Sequence, residues 1–150
     1  MSAIPFFKKN IFSKAEIQQI ADAIAVAEKK TSGEIRLYLE PKCKVEPLHR
    51  AEIIFHELGM NKTEAHNGVL IYLAYTDKKF AICGDQAIYE KCGQSFWDNV
   101  KEEMQKHFLK KEILKGVLIA IEMAGDKLQT YFPYDGKTDK NELSDAPIIK

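Results

Sequence analysis

Of 150 residues only one is tryptophan, three are cysteine and five are proline, and neither charge predominates. Lys plus Arg and Asp plus Glu each number 22, so the formal net charge is zero. No overall field then draws the chain to nucleic acid or to an anionic membrane. Cys43, Cys83 and Cys92 are odd in number and widely spaced, and they match no zinc or disulfide framework. Apolar runs such as Val117 to Ile121 are far too short to span a bilayer. Met1 to Asn10 holds Lys8 and Lys9, but no apolar stretch long enough for an export signal follows them. There is no glycine-rich loop to cradle a phosphate and no serine-nucleophile motif. These absences lead to the expectation of a cytoplasmic chain with reduced thiols, no nucleic-acid partner and no direct membrane insertion.

What is present is a core. Hydrophobic residues make up 45% of the chain, enough for one packed domain. Residues 1–132 read as that single domain and 133–150 as an extended, polar C-terminal tail. Ser13 followed by Glu16 is a capping-box signature opening a helix, with Ile17, Ile20, Ala21, Ile24 and Ala27 on one stripe. After Thr31-Ser32-Gly33, residues Glu34 to Glu40 alternate. Ile35, Leu37 and Leu39 share one face, with Arg36 and Tyr38 on a less buried second face. Pro47 starts a helix that turns Ala51, Ile54, Phe55 and Leu58 inward and stops at Gly59.

Gly68 to Tyr75 is apolar almost throughout, as a strand covered on both sides would be. A polar turn at Thr76-Asp77-Lys78 leads into a second strand over Lys79 to Cys83. A short helical turn near Ala87, an amphipathic helix over Gln94 to Leu109 and a last helix over Ile113 to Tyr131 complete the pattern. The first half of that last helix is apolar nearly all round, so Leu118 and Ile121 are both expected to be buried. Strand, helix and strand from Glu34 to Tyr75 form a βαβ unit, which places its two strands parallel. The expected fold is α/β: a small mixed sheet with a βαβ unit and a hairpin, and helices on both faces.

That topology gathers Glu34, Asn67 and Asp85 at one end of the sheet. Glu34 begins the first strand, Asn67 precedes the second, and Asp85 follows the third. Two carboxylates and an amide can hold a hard cation such as calcium or magnesium, and a bound cation can polarise a phosphoryl group. The plainer role is structural: Asn67 and Asp85 cap strand ends and satisfy loop amides while Glu34 stays solvated. His49, Glu52 and His56 lie at helical spacing, as zinc ligands can, but on the flank away from the apolar stripe, where a solvated face is expected. Cys83 sits inside an apolar strand, where a thiol is normally inert rather than nucleophilic. Trp97 and Phe96 share a stripe with Val100 and Met104, which points to core packing before partner anchoring. Ile148-Ile149, at the end of a polar tail, suggests docking onto the domain itself or onto a partner.

Together these elements resemble the TPM domain family, which includes thylakoid-lumen acid phosphatases and photosystem-repair proteins. The resemblance runs from about Phe12 to Tyr131. It is carried by Ser32-Gly33-Glu34, Phe55-His56-Glu57-Leu58-Gly59, Asn67-Gly68-Val69-Leu70, Ile82-Cys83-Gly84-Asp85 and Gly116-Val117-Leu118. It implies phosphatase activity or calcium binding, and a membrane-anchored relative or envelope-stress machinery as the protein partner. Gly84-Asp85-Gln86-Ala87-Ile88 stands where the family often has a glycine-rich segment, and Lys78 or Lys79 replaces its usual hairpin arginine. The favoured expectation is a short, soluble version acting as a binding or interaction module. The alternative is a metal-dependent phosphatase using Glu34, Asn67 and Asp85, with its catalytic residues unassigned.

Overall fold

The computed structural model describes residues 11–134 and 146–150. Ser13 caps the first helix, α1 (Lys14–Glu28), through the reciprocal pair of bonds its sequence predicts. The Glu16 amide donates to Ser13 Oγ at 3.1 Å and the Ser13 amide to Glu16 Oε1 at 2.9 Å. Strand β1 (Glu34–Glu40) follows, then α2 (Pro47–Glu57), whose first turn is capped by the Glu46 carboxylate accepting the His49 amide at 3.0 Å. Gly59 takes the left-handed conformation just past α2, where a Cβ would be strained. A single 3-10 turn (Met60–Lys62) leads to β2 (Gly68–Ala74) and the hairpin strand β3 (Lys79–Gly84). Three helices come next: α3 (Gln86–Cys92), α4 (Gln94–Leu109) and α5 (Ile113–Tyr131). A final short strand, β4 (Ile148–Ile149), ends the chain.

The sheet runs in the order β3-β2-β1-β4. Strands β1 and β2 are parallel with Glu34 beside Gly68, and β2 and β3 are antiparallel with Val69 beside Gly84. Both pairings agree with the βαβ-plus-hairpin expectation. Strand β4 lies parallel to β1, with Tyr38 beside Ile148 and Leu39 beside Ile149. The isoleucines of the tail therefore dock onto the chain's own sheet. The Lys150 amide extends the pairing to the Leu39 carbonyl at 2.7 Å.

Alternation along the strands divides the core in two. Ile35, Leu37, Leu39, Val69, Ile71, Leu73 and Ile82 pack beneath α1, α3, α4 and α5. Tyr38, Leu70, Tyr72, Ala74 and Ala81 pack beneath α2 with Ala51, Ile54, Phe55 and Met60. The second face of β1 is thus more buried than its polar letters suggest. Tyr38 is 6% exposed, stacked on Tyr72, paired with Ile148 of β4 and sharing its apolar cluster with Ala51, Ile54 and Phe55 of α2. Helix α5 is less enclosed than expected. Val117, Ala120, Ile121, Ala124 and Leu128 are buried, but Leu118 is only half-buried because one flank of α5 borders a groove against α1. Trp97 is a core residue at 3% exposure, with its indole N–H donating to the Tyr89 carbonyl at 3.2 Å. No helix among the described residues is long and apolar enough to cross a membrane.

Candidate functional site

The backbone brings Glu34, Asn67 and Asp85 to the same end of the sheet. Glu34 pairs with Gly68, Asn67 immediately precedes Gly68, and the Asp85 amide donates to the Gly68 carbonyl at 2.8 Å. Their side chains then take separate duties. The pleat carries Glu34, 3% exposed, to the α2 side with Gly68. Asn67, 1% exposed, donates from Nδ2 to Ser32 Oγ at 3.3 Å. Asp85 caps α3, its Oδ1 accepting the Gln86 amide at 2.8 Å, while Oδ2 lies 3.3 Å from His66 Nδ1. Among the described residues no three His, Cys, Asp or Glu side chains converge as a metal-holding group.

His49, Glu52 and His56 are all exposed on the outer flank of α2, and His56 Nδ1 is 3.0 Å from the Glu52 carbonyl. Burial pushes the Cys83 thiol up to about 12, with Glu52 and Asp85 adding to the effect, so thiolate is scarce at neutral pH. All three cysteines are free.

The opposite end of the sheet holds a polar cluster that the sequence reading passed over. Arg50 grips Glu40 with both arms, Nε to Oε2 at 2.9 Å and the terminal nitrogen to Oε1 at 3.0 Å. The Tyr72 hydroxyl donates to the same carboxylate, and Tyr38 stacks on Tyr72 with ring centres 6.3 Å apart. Burial alone would raise the Glu40 carboxyl. The Arg50 and Tyr72 hydrogen bonds outweigh it and hold the group below its ordinary range. Tyr72 is pushed far up by burial and by the neighbouring Glu40. The Glu40 carboxylate is held by both Arg50 and Tyr72, so the cluster fastens α2 to the sheet instead of presenting a free base. One signal was legible: a tyrosine in the middle of an apolar strand must find an acceptor when buried.

The loops at this end are also bound in. The Cys43 amide donates to Asp77 at 2.8 Å and Lys79 donates to the Cys43 carbonyl at 3.1 Å, tying residues 41–46 to the β2–β3 turn. What stays open is the flank of β3. A cleft of about 310 Å³ follows it, floored by Phe80 to Gly84. Glu46, Leu48 and Glu52 of the α2 region form one wall, and Tyr89, Trp97 and Lys101 of α3 and α4 form the other.

Among the described residues, a mixed four-stranded sheet with one α-helix on one face and four on the other defines an α/β domain with its parallel pair at the centre. Residues 7–127 match the TPM domain family, and the chain belongs to it. Among solved structures it is similar to the BA42 protein of the psychrophilic bacterium Bizionia argentinensis. That match has 39% identity and a TM-score of 0.85 over the whole of both chains. It also matches the N-terminal domain of the cg2496 protein from Corynebacterium glutamicum, with a TM-score of 0.56 at 13% identity. That likeness covers 99% of this chain and 92% of the other, and it speaks for the fold alone. No match was found among the curated proteins.

Proposed function

We propose that this TPM domain is a cytoplasmic binding module for another protein, with a membrane-anchored relative as its partner class and no role in nucleic-acid binding. The observation that carries the reading is the asymmetry of the sheet. Strand β4 and the Lys150 amide cover the β1 edge at Tyr38 and Leu39, while β3 borders an open cleft with partly exposed Leu48 and Tyr89 at its rim. The partner class comes from the family resemblance. The second reading, a calcium- or magnesium-dependent phosphatase, draws on the convergence of the Glu34, Asn67 and Asp85 backbones at one sheet end. Melting temperature and p-nitrophenyl phosphate hydrolysis, measured with and without millimolar calcium or magnesium, separate the two. A ligand that binds only the folded state must raise the melting temperature. The binding-module reading expects no metal-dependent hydrolysis, together with calorimetric binding to the soluble domain of a membrane-anchored TPM relative. Metal-dependent hydrolysis that Asp85→Asn abolishes, without such binding, overturns it.

A further inference from the structure

Strand β3 is an edge strand, and its chemistry defines a ligand. The Asp85 amide points to β2, where it meets the Gly68 carbonyl at 2.8 Å. In an antiparallel pair, main-chain groups alternate sides residue by residue. Cys83 and Ala81 therefore also face β2, while Gly84, Ile82 and Phe80 turn their N–H and C=O groups to the far side. Among the described residues no strand lies there. Lys79 is the only charged residue of the strand, so this edge lacks the run of charge that usually blunts one.

The cleft along this edge has the form of a slot. Its floor is the β3 edge from Phe80 to Gly84, and its walls come from both faces of the sheet. The walls also differ in charge. The α2 wall offers Glu46 and Glu52, and the opposite wall offers the exposed Tyr89 ring beside Trp97 and the exposed Lys101. Side chains of an added strand alternate between the two walls.

We propose that β3 receives an extended peptide segment as a fifth strand, with basic side chains directed to Glu46 and Glu52 and apolar side chains directed to Tyr89 and Trp97. Main-chain bonds to Phe80, Ile82 and Gly84 hold the segment, and the two walls select its alternating sequence. The inference rests on the binding-module reading and assigns that module its surface and its partner chemistry.

The probe is a capped heptapeptide alternating Lys and Val, titrated into the full chain and followed by amide NMR and calorimetry. The expected result is saturable binding, with the largest shifts at the amides of Phe80, Ile82 and Gly84. Methylating alternate peptide nitrogens on the bonding edge should weaken binding by about tenfold or more, as loss of one or two main-chain bonds requires. Glu52→Lys, at an exposed position, should weaken the Lys-Val peptide at least about fivefold and leave the melting temperature unchanged. Binding indifferent to N-methylation, shifts centred away from β3, or β3 shifts on simple dilution of the protein (which mark self-pairing of two copies) would each overturn the proposal. If this peptide does not bind but the membrane-anchored relative does, the edge proposal fails and the binding-module reading stands. If neither binds and metal-dependent hydrolysis appears, both fall.

Discussion

Among the described residues Tyr72 heads the large side chains fully buried in the sheet, and its hydroxyl donates to Glu40. Tyr72→Phe removes that donor without opening a cavity. A hydrogen bond to a charged group contributes about 1–3 kcal/mol, so urea denaturation should show a loss of that size. The pH dependence follows from Glu40. Its carboxyl lies below the ordinary value of 4.5 in the folded protein, because the bonds from Arg50 and Tyr72 outweigh the upward push of burial. A depressed carboxylate contributes stability above its unfolded pKa and loses it as pH falls through the folded one. The advantage of the native chain over Glu40→Gln should therefore be full above about pH 4.5 and shrink below it. A difference between the two melting curves that stays constant with pH would place the Glu40 contribution in packing alone.

Elements rich in local signal were read directly from the sequence. The Ser13–Glu16 capping box, the Glu34–Glu40 alternation, the hairpin and the spans of α4 and α5 all depend on neighbours within a turn or a pleat, and all stand where expected. The misread features depend on distant partners. Tyr38 reads as an outer-face residue, but Tyr72 of β2, Ile148 of β4 and the α2-side cluster bury it. Leu118 shares the apolar character of its neighbours, but it lies on the flank of α5 that borders the α1 groove. Burial on a helix is set by where the packing neighbours stand, and a helix apolar most of the way round does not reveal that direction. Leu128, fully buried, lies close enough to Gly33 that a Cβ added there would meet it at 2.6 Å. Leu128→Ala should cost about 2–5 kcal/mol through the cavity it leaves, and Leu118→Ala clearly less. Equal losses for the two in chemical denaturation would mean that the groove beside Leu118 closes in solution.

At the scale of the whole molecule, the two edges of the sheet have different fates. Apolar Ile148-Ile149 at the end of a polar tail points to docking on the domain itself or on a partner, but not to β1, because a two-residue strand has no alternation to match and its partner lies more than a hundred residues away. The three residues meant to share an ion show the complementary case. Topology foresaw that Glu34, Asn67 and Asp85 share a sheet end, but the direction of each side chain depends on Ser32, on the α3 N-terminus and on the pleat, none of which a spacing encodes. The β4 contact supplies the last prediction. Removing residues 148–150 exposes the half-buried isoleucines' packing surface and deprives the Leu39 carbonyl of the Lys150 amide. Half-burial of two isoleucines contributes about 1–3 kcal/mol, so the shortened chain should melt lower by several degrees. Its β1 amides should also exchange faster with deuterium, since that strand becomes an open edge. An unchanged melting temperature with unchanged β1 exchange would show that β1 holds its place without β4, and that the sheet's second edge is as open to an incoming strand as the first.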